Sequence, residues 1–148
     1  MDTSYRVDVD MYLRVGRRIW EFQITEVQVP GRSRGRDYRS GTEDTGWMRG
    51  KDSDIARQQG PAWLAEAVER KRLKSYSSSQ LLHLLLYANF SATGIQYGDL
   101  LTPLMKFRGT FASIWILTSL HVCSVFTPSD LGHISSWSPV RDADDYYR

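Results

Sequence analysis

The chain has 148 residues, the length of one domain, since domains typically hold roughly 100–200 residues. A chain of this length buries a core without a disulfide or metal staple. Its 41% hydrophobic and 24% charged residues are the balance of a soluble globular protein. The single cysteine, Cys123, excludes an intramolecular disulfide and any cysteine-based zinc cage. The formal net charge is +2, but arginine outnumbers lysine 15 to 4. Of the 19 basic residues, 15 fall in positions 1–74, against 12 acids there. Arginine forks pair bidentately with phosphate, so this half is compatible with nucleic acid, and equally with a solvated arginine-rich face.

The opening residues are polar, with no apolar stretch of the signal-peptide type. The longest apolar run, 111–126, falls short of the roughly 20 residues a membrane span requires and carries Ser, Thr and His. The expectation is a soluble, cytoplasmic protein with no membrane partner.

Residues 5–14 alternate, with Val7, Val9, Met11 and Leu13 on one face and Asp8, Asp10, Tyr12 and Arg14 on the other. Residues 19–29 alternate again: Trp20, Phe22 and Ile24 oppose Glu21, Gln23 and Thr25. Period two marks half-buried strands, and Gly16 between them supplies a tight turn, so the two runs predict a β-hairpin. Positions 30–60 are rich in Gly, Arg, Asp and Ser with little periodicity and read as a long polar loop. Gly60-Pro61 predicts a helix start, with proline at its first position. Trp63, Leu64, Ala67 and Val68 form that helix's apolar stripe, and Lys71, Arg72 and Lys74 suit its C-terminus.

Residues 80–90, QLLHLLLYANF, fit a helix capped by Ser79 or a strand buried on both faces; the strand is favoured because a βαβ pattern follows. Residues 97–108 predict the return helix, ended by Gly109, with Pro103 near its first turn. Residues 111–117 predict another doubly buried strand. Residues 119–126 stay open between strand and helix, and the tail 128–148 reads as irregular and flexible. The expected architecture is a single α/β domain over 1–148: a mixed β-sheet opened by the hairpin and followed by βαβ-type elements.

The hairpin collects acids. Asp8 and Asp10 share a face of the first strand, and Glu21 and Gln23 share a face of the second. An Asp and a Glu converging on adjacent strands would suit Mg²⁺, which takes one or two carboxylates plus phosphate oxygens. The same side chains also suit the wet face of an ordinary hairpin. No glycine-rich nucleotide fingerprint occurs. His121 and Cys123, with only His83 and His133 beside them, make a poor zinc set, and Cys123 reads as core. Asp142, Asp144 and Asp145 lack EF-hand spacing.

Asp10, ten residues, then Glu21-Phe22-Gln23, with the buried run LLLYANF behind them, resembles the PD-(D/E)XK, or restriction-endonuclease-like, nucleases over about residues 5–118. The resemblance implies that Asp10 and Glu21 hold Mg²⁺ for phosphodiester cleavage and that Gln23 positions water. Asp8 would stand in reserve for Asp10, with Gln58 and Gln59 as auxiliary positions. Arg32, Arg34, Arg36 and Arg39 would grip phosphates. The chain departs from the family pattern in three ways: no proline precedes Asp10, no helix leads the first strand, and Gln23 stands where a lysine is usual. Gln23→Lys would restore that lysine. The functional expectation is a nucleic-acid-binding protein of nuclease-like fold, with Mg²⁺ as cofactor if it cleaves and none otherwise. The alternative is an inactive nuclease-fold module for protein–protein interaction or inhibition. A leading helix absent from the pattern would leave sheet surface uncovered, which is compatible with a homodimer.

Overall fold

A computed structural model describes residues 9–30, 51–74 and 82–140. Six strands and two α-helices follow in the order β1 (Met11–Val15), β2 (Arg18–Val27), α1 (Lys51–Arg72), β3 (His83–Ala88), α2 (Tyr97–Leu104), β4 (Ser113–Leu117), β5 (His121–Phe126) and β6 (Ser138–Pro139). They build one mixed sheet whose strand order is the chain order. β1 and β2 pair antiparallel, β2, β3 and β4 run parallel, and β5 and β6 return antiparallel. The expected α/β domain, its opening hairpin and the strand reading of 80–90 are all present. Residues 119–126, open from sequence, form β5.

The hairpin forms where alternation predicts it. Val15 pairs with Arg18 around Gly16-Arg17, and Gly16 has φ 62° while Arg17 is not in the left-handed region. That is the pattern of a type II′ turn, whose twist matches the two strands.

β2, β3 and β4 step across the sheet in one direction, so two crossovers of the same hand place both helices on the same face. That face holds the core. Leu84 and Leu86 of β3, Ile114 and Ile116 of β4, and Cys123 of β5 meet Trp63, Leu64, Ala67 and Val68 of α1 and Leu100 and Leu104 of α2. Between Ile114 and Trp115 the β4–β5 register slips by one residue. The bulge sends both Val125 and Phe126 into this core.

α1 departs from expectation. It starts at Lys51, ten residues before Pro61, so positions 51–60 are helical rather than loop. Pro61 sits inside it, one residue after a glycine that two side chains approach closely. A Cβ on Gly60 would lie 2.7 Å from Ile95 Cδ1 and 3.1 Å from Phe90 Cε2. Trp63 then meets Phe90 edge-on, with centroids 5.2 Å apart. Pro103 likewise falls in the last turn of α2, not the first. The helix ends one residue later and tightens into a 3₁₀ turn at Met105–Phe107, so little is lost. Gly109, φ 97°, turns the chain into β4.

The opposite face carries no helix among the described residues. Phe22, His83 and Ser113 line up across it, followed by Ile24, Leu85 and Trp115. The sheet curls toward this face: Arg18 lies 4.6 Å above the Trp20 ring and pairs with Asp130, beyond β5. At the curled end Trp20, Phe22, His83 and Ser113 are buried, while Ile24 is exposed. The Trp115 indole N–H donates to Ser113 Oγ at 2.9 Å. The same hydroxyl is hydrogen-bonded to His83 Nδ1, 2.5 Å away. Burial lowers the His83 pKa and so favours the neutral imidazole.

Candidate functional site

Glu21 and Gln23 share the helix-bearing face of β2, as the alternation groups them. The paired ladder of the hairpin ends at Met11 opposite Phe22, and Asp10 lies just beyond it, bonded to Phe22 and Ile24. Asp10 is exposed, Glu21 half-buried and Gln23 buried. Asp10 also finishes the ladder. Its backbone N–H donates to the Phe22 carbonyl at 2.9 Å, and its carboxylate accepts the Ile24 N–H at 2.8 Å. One carboxylate oxygen therefore replaces the carbonyl that a longer β1 would have offered.

The residue missing from the sequence reading is Lys71. In the last turn of α1, it extends to the sheet and donates from Nζ to Gln23 Oε1 at 3.2 Å. Its pKa is lowered, chiefly by burial and then by Lys74, against a raising pull from the Asp10 carboxylate. The ammonium therefore stands beside Gln23 within the field of Asp10. A helix-end lysine reads from sequence as a dipole partner, and only the α1–β2 packing turns it inward. Arg14 shares the face of Tyr12 and Glu21 and is exposed, with its Nε donating to the Gly16 carbonyl.

Among the described residues no three His, Cys, Asp or Glu side chains gather to hold a metal. The carboxylates of the hairpin are Glu21 on β2 and Asp10 just before β1, and one Asp10 oxygen accepts the Ile24 N–H. Gln58 and Gln59 are exposed on α1. Asp8, Arg32, Arg34, Arg36 and Arg39 lie outside the described residues, as do Asp142, Asp144 and Asp145 of the tail.

The other sequence candidates resolve plainly. Cys123 is fully buried in the core, and burial pushes its thiol up to about 12. His83 lies in the aromatic cluster of the opposite face, stacked on Phe22 at 5.1 Å with Trp20 edge-on at 5.2 Å. No helix among the described residues is long and apolar enough to cross a membrane. The chain matches no family model, no curated protein and no solved structure.

Proposed function

We propose that the chain binds nucleic acid along the β1–β2–α1 seam and cleaves it there with Mg²⁺. One observation carries this reading: Lys71 brings an ammonium onto the sheet face of Glu21 and Gln23, 3.2 Å from Gln23 and within the field of the Asp10 carboxylate. The resemblance to PD-(D/E)XK nucleases asks for two acids and a lysine, and its weakest point is glutamine at position 23. Here the cation comes from the following helix instead of the strand. A hairpin leading into parallel β–α–β steps is the order that resemblance implies.

Asp10 and Glu21 would hold the metal, which lowers the pKa of bound water and stabilises charge on a phosphoryl group. Lys71 places positive charge beside Gln23, where it favours an anionic phosphate or a deprotonating water. Gln23 holds the ammonium in place through Oε1 and leaves its amide N–H₂ to orient a polar neighbour. Arg14 and Lys74 extend the positive rim for the phosphate backbone, and Arg32, Arg34, Arg36 and Arg39 remain proposed grips.

The test is Mg²⁺-dependent cleavage of single- and double-stranded DNA and RNA by the parent, Glu21→Ala and Lys71→Met proteins. Cleavage by the parent that both variants lose supports the site. Cleavage surviving Glu21→Ala places the chemistry elsewhere. Salt-dependent binding by the parent without cleavage leaves a binding-only protein of the same surface.

A further inference from the structure

A second concavity lies across the core from the hairpin, between α2 and the segment that follows β5. It is an open groove of about 400 Å³, a volume within the range of small-molecule sites. One side is Tyr97, Leu101 and Met105, four residues apart on α2 and its 3₁₀ extension. Val125 and Phe126, set by the β5 bulge, form the base.

The far wall is held from several sides. Tyr97 donates its hydroxyl to the Ser124 carbonyl at 2.6 Å, so the 3.2 Å contact with His133 Nε2 has the imidazole N–H as donor. His133 Nδ1 lies 2.9 Å from Ser124 Oγ, which accepts the Ile134 N–H at 2.7 Å. Thr127 closes the 127–132 turn by donating to the Gly132 carbonyl at 2.6 Å. Asp130, the one acid of that turn, is engaged by Arg18.

These bonds engage Tyr97, Thr127 and His133 and leave the Ser129 hydroxyl and one charge. Arg108 lines the mouth, is exposed, and has no ion pair or side-chain hydrogen bond among the described residues. No acidic side chain lines the concavity. A guanidinium over an apolar slot matches one charge at the end of one apolar body, and its planar fork fits the two oxygens of a carboxylate. With Arg108 as the one cation of the lining, a singly charged carboxylate is matched in charge and a phosphate dianion is not.

We propose that this concavity binds a small monocarboxylate with an apolar tail. The carboxylate lies on Arg108 and the tail runs along Leu101, Met105 and Phe126, where the flexible Met105 adapts to tail shape.

The test is an amide NMR titration of the full chain with octanoate, with octanol, acetate and octyl phosphate as comparisons. Octanoate is expected to shift, saturably, signals from 97–108 and 124–133. Octanol and acetate should bind at least about tenfold more weakly, as should Arg108→Ala toward octanoate, the loss of one charge-assisted contact. Arg108 is exposed, so its replacement leaves the fold in place. No saturable shift at these residues, octanol binding as tightly as octanoate, or full affinity in Arg108→Ala each overturns the proposal. Octyl phosphate binding more tightly than octanoate would reassign the site to phosphate esters and overturn the carboxylate. None of these measurements involves nucleic acid or Mg²⁺, so the outcome is independent of the hairpin reading.

Discussion

Gln23→Lys puts the hairpin geometry to its sharpest test. On the family pattern this change restores a lysine and should help. On the structure it places a second ammonium where Lys71 Nζ already sits, 3.2 Å from the Gln23 side chain, at a position 4% exposed. Two like charges about 4 Å apart repel by about 4 kcal/mol at an effective dielectric near 20. Lys71 is only partly buried, so splaying and solvent screening reduce this, and a net destabilisation of about 1–3 kcal/mol is expected. Adding Lys71→Gln exchanges the two residues and removes the clash. The double variant should recover most of the loss, with a coupling of about 1–2 kcal/mol between the sites. Urea unfolding at pH 7 of the parent, both single variants and the exchange completes the cycle. A Gln23→Lys protein as stable as the parent, or an exchange no better than Gln23→Lys alone, would show that Lys71 and Gln23 are not neighbours in solution.

Three further outcomes follow from the packing. Below pH 6.5 the unfolded chain protonates His83 while the folded chain, whose His83 pKa is lowered by burial, resists. Stability is therefore full above pH 6.5 and falls as pH drops from there toward the folded-state pKa. Unfolding measured from pH 7.5 to 5 should show this slope, and His83→Phe should flatten it. Gly60→Ala should not deliver the roughly 1 kcal/mol that alanine gains over glycine within a helix, because the new methyl meets Ile95. Pairing it with Ile95→Val should restore part of the gain in thermal unfolding. Cys123, pushed up to about 12, should stay unmodified by a thiol reagent at pH 8 until the chain is unfolded in denaturant.

Legibility in the sequence followed the range of the forces involved. The hairpin was readable because alternation and Gly16 are local signals, but not which face is covered: Gln23 is buried beneath α1, while Leu13 and Ile24 of the apolar face are exposed. β3 and β4 were readable as continuous apolar runs, which suit parallel strands: Leu84, Leu86, Ile114 and Ile116 are fully buried beneath the helices, and Leu85 and Trp115 on the other face are half-buried. β5 was not: Ser124 interrupts its apolar pattern because its hydroxyl serves His133 and the Ile134 N–H. The start of α1 was missed for a related reason. Gly60-Pro61 looks like a boundary by local chemistry, but its glycine is needed for Ile95 and Phe90 to approach, a contact some 30 residues distant. Glu21 and Gln23 were legible as residue types on one face of β2. Lys71 was not, because nothing local says which exposed-looking helix-end lysine will meet the sheet.

The coincidence of strand order with chain order has a bearing on synthesis. Each strand of this sheet pairs only with its immediate predecessor and successor, so no strand waits for a distant partner to be made. As the chain leaves the ribosome N-terminus first, the sheet can be laid down one edge at a time. α1 covers the β2–β3 seam before β4 arrives, and α2 covers the next. The longest-lived exposed edge at any moment is the newest strand, and its partner is the next segment of the same chain. That arrangement favours pairing within the chain over pairing with a neighbouring copy, because a nearby segment closes its loop at lower entropic cost than a distant one.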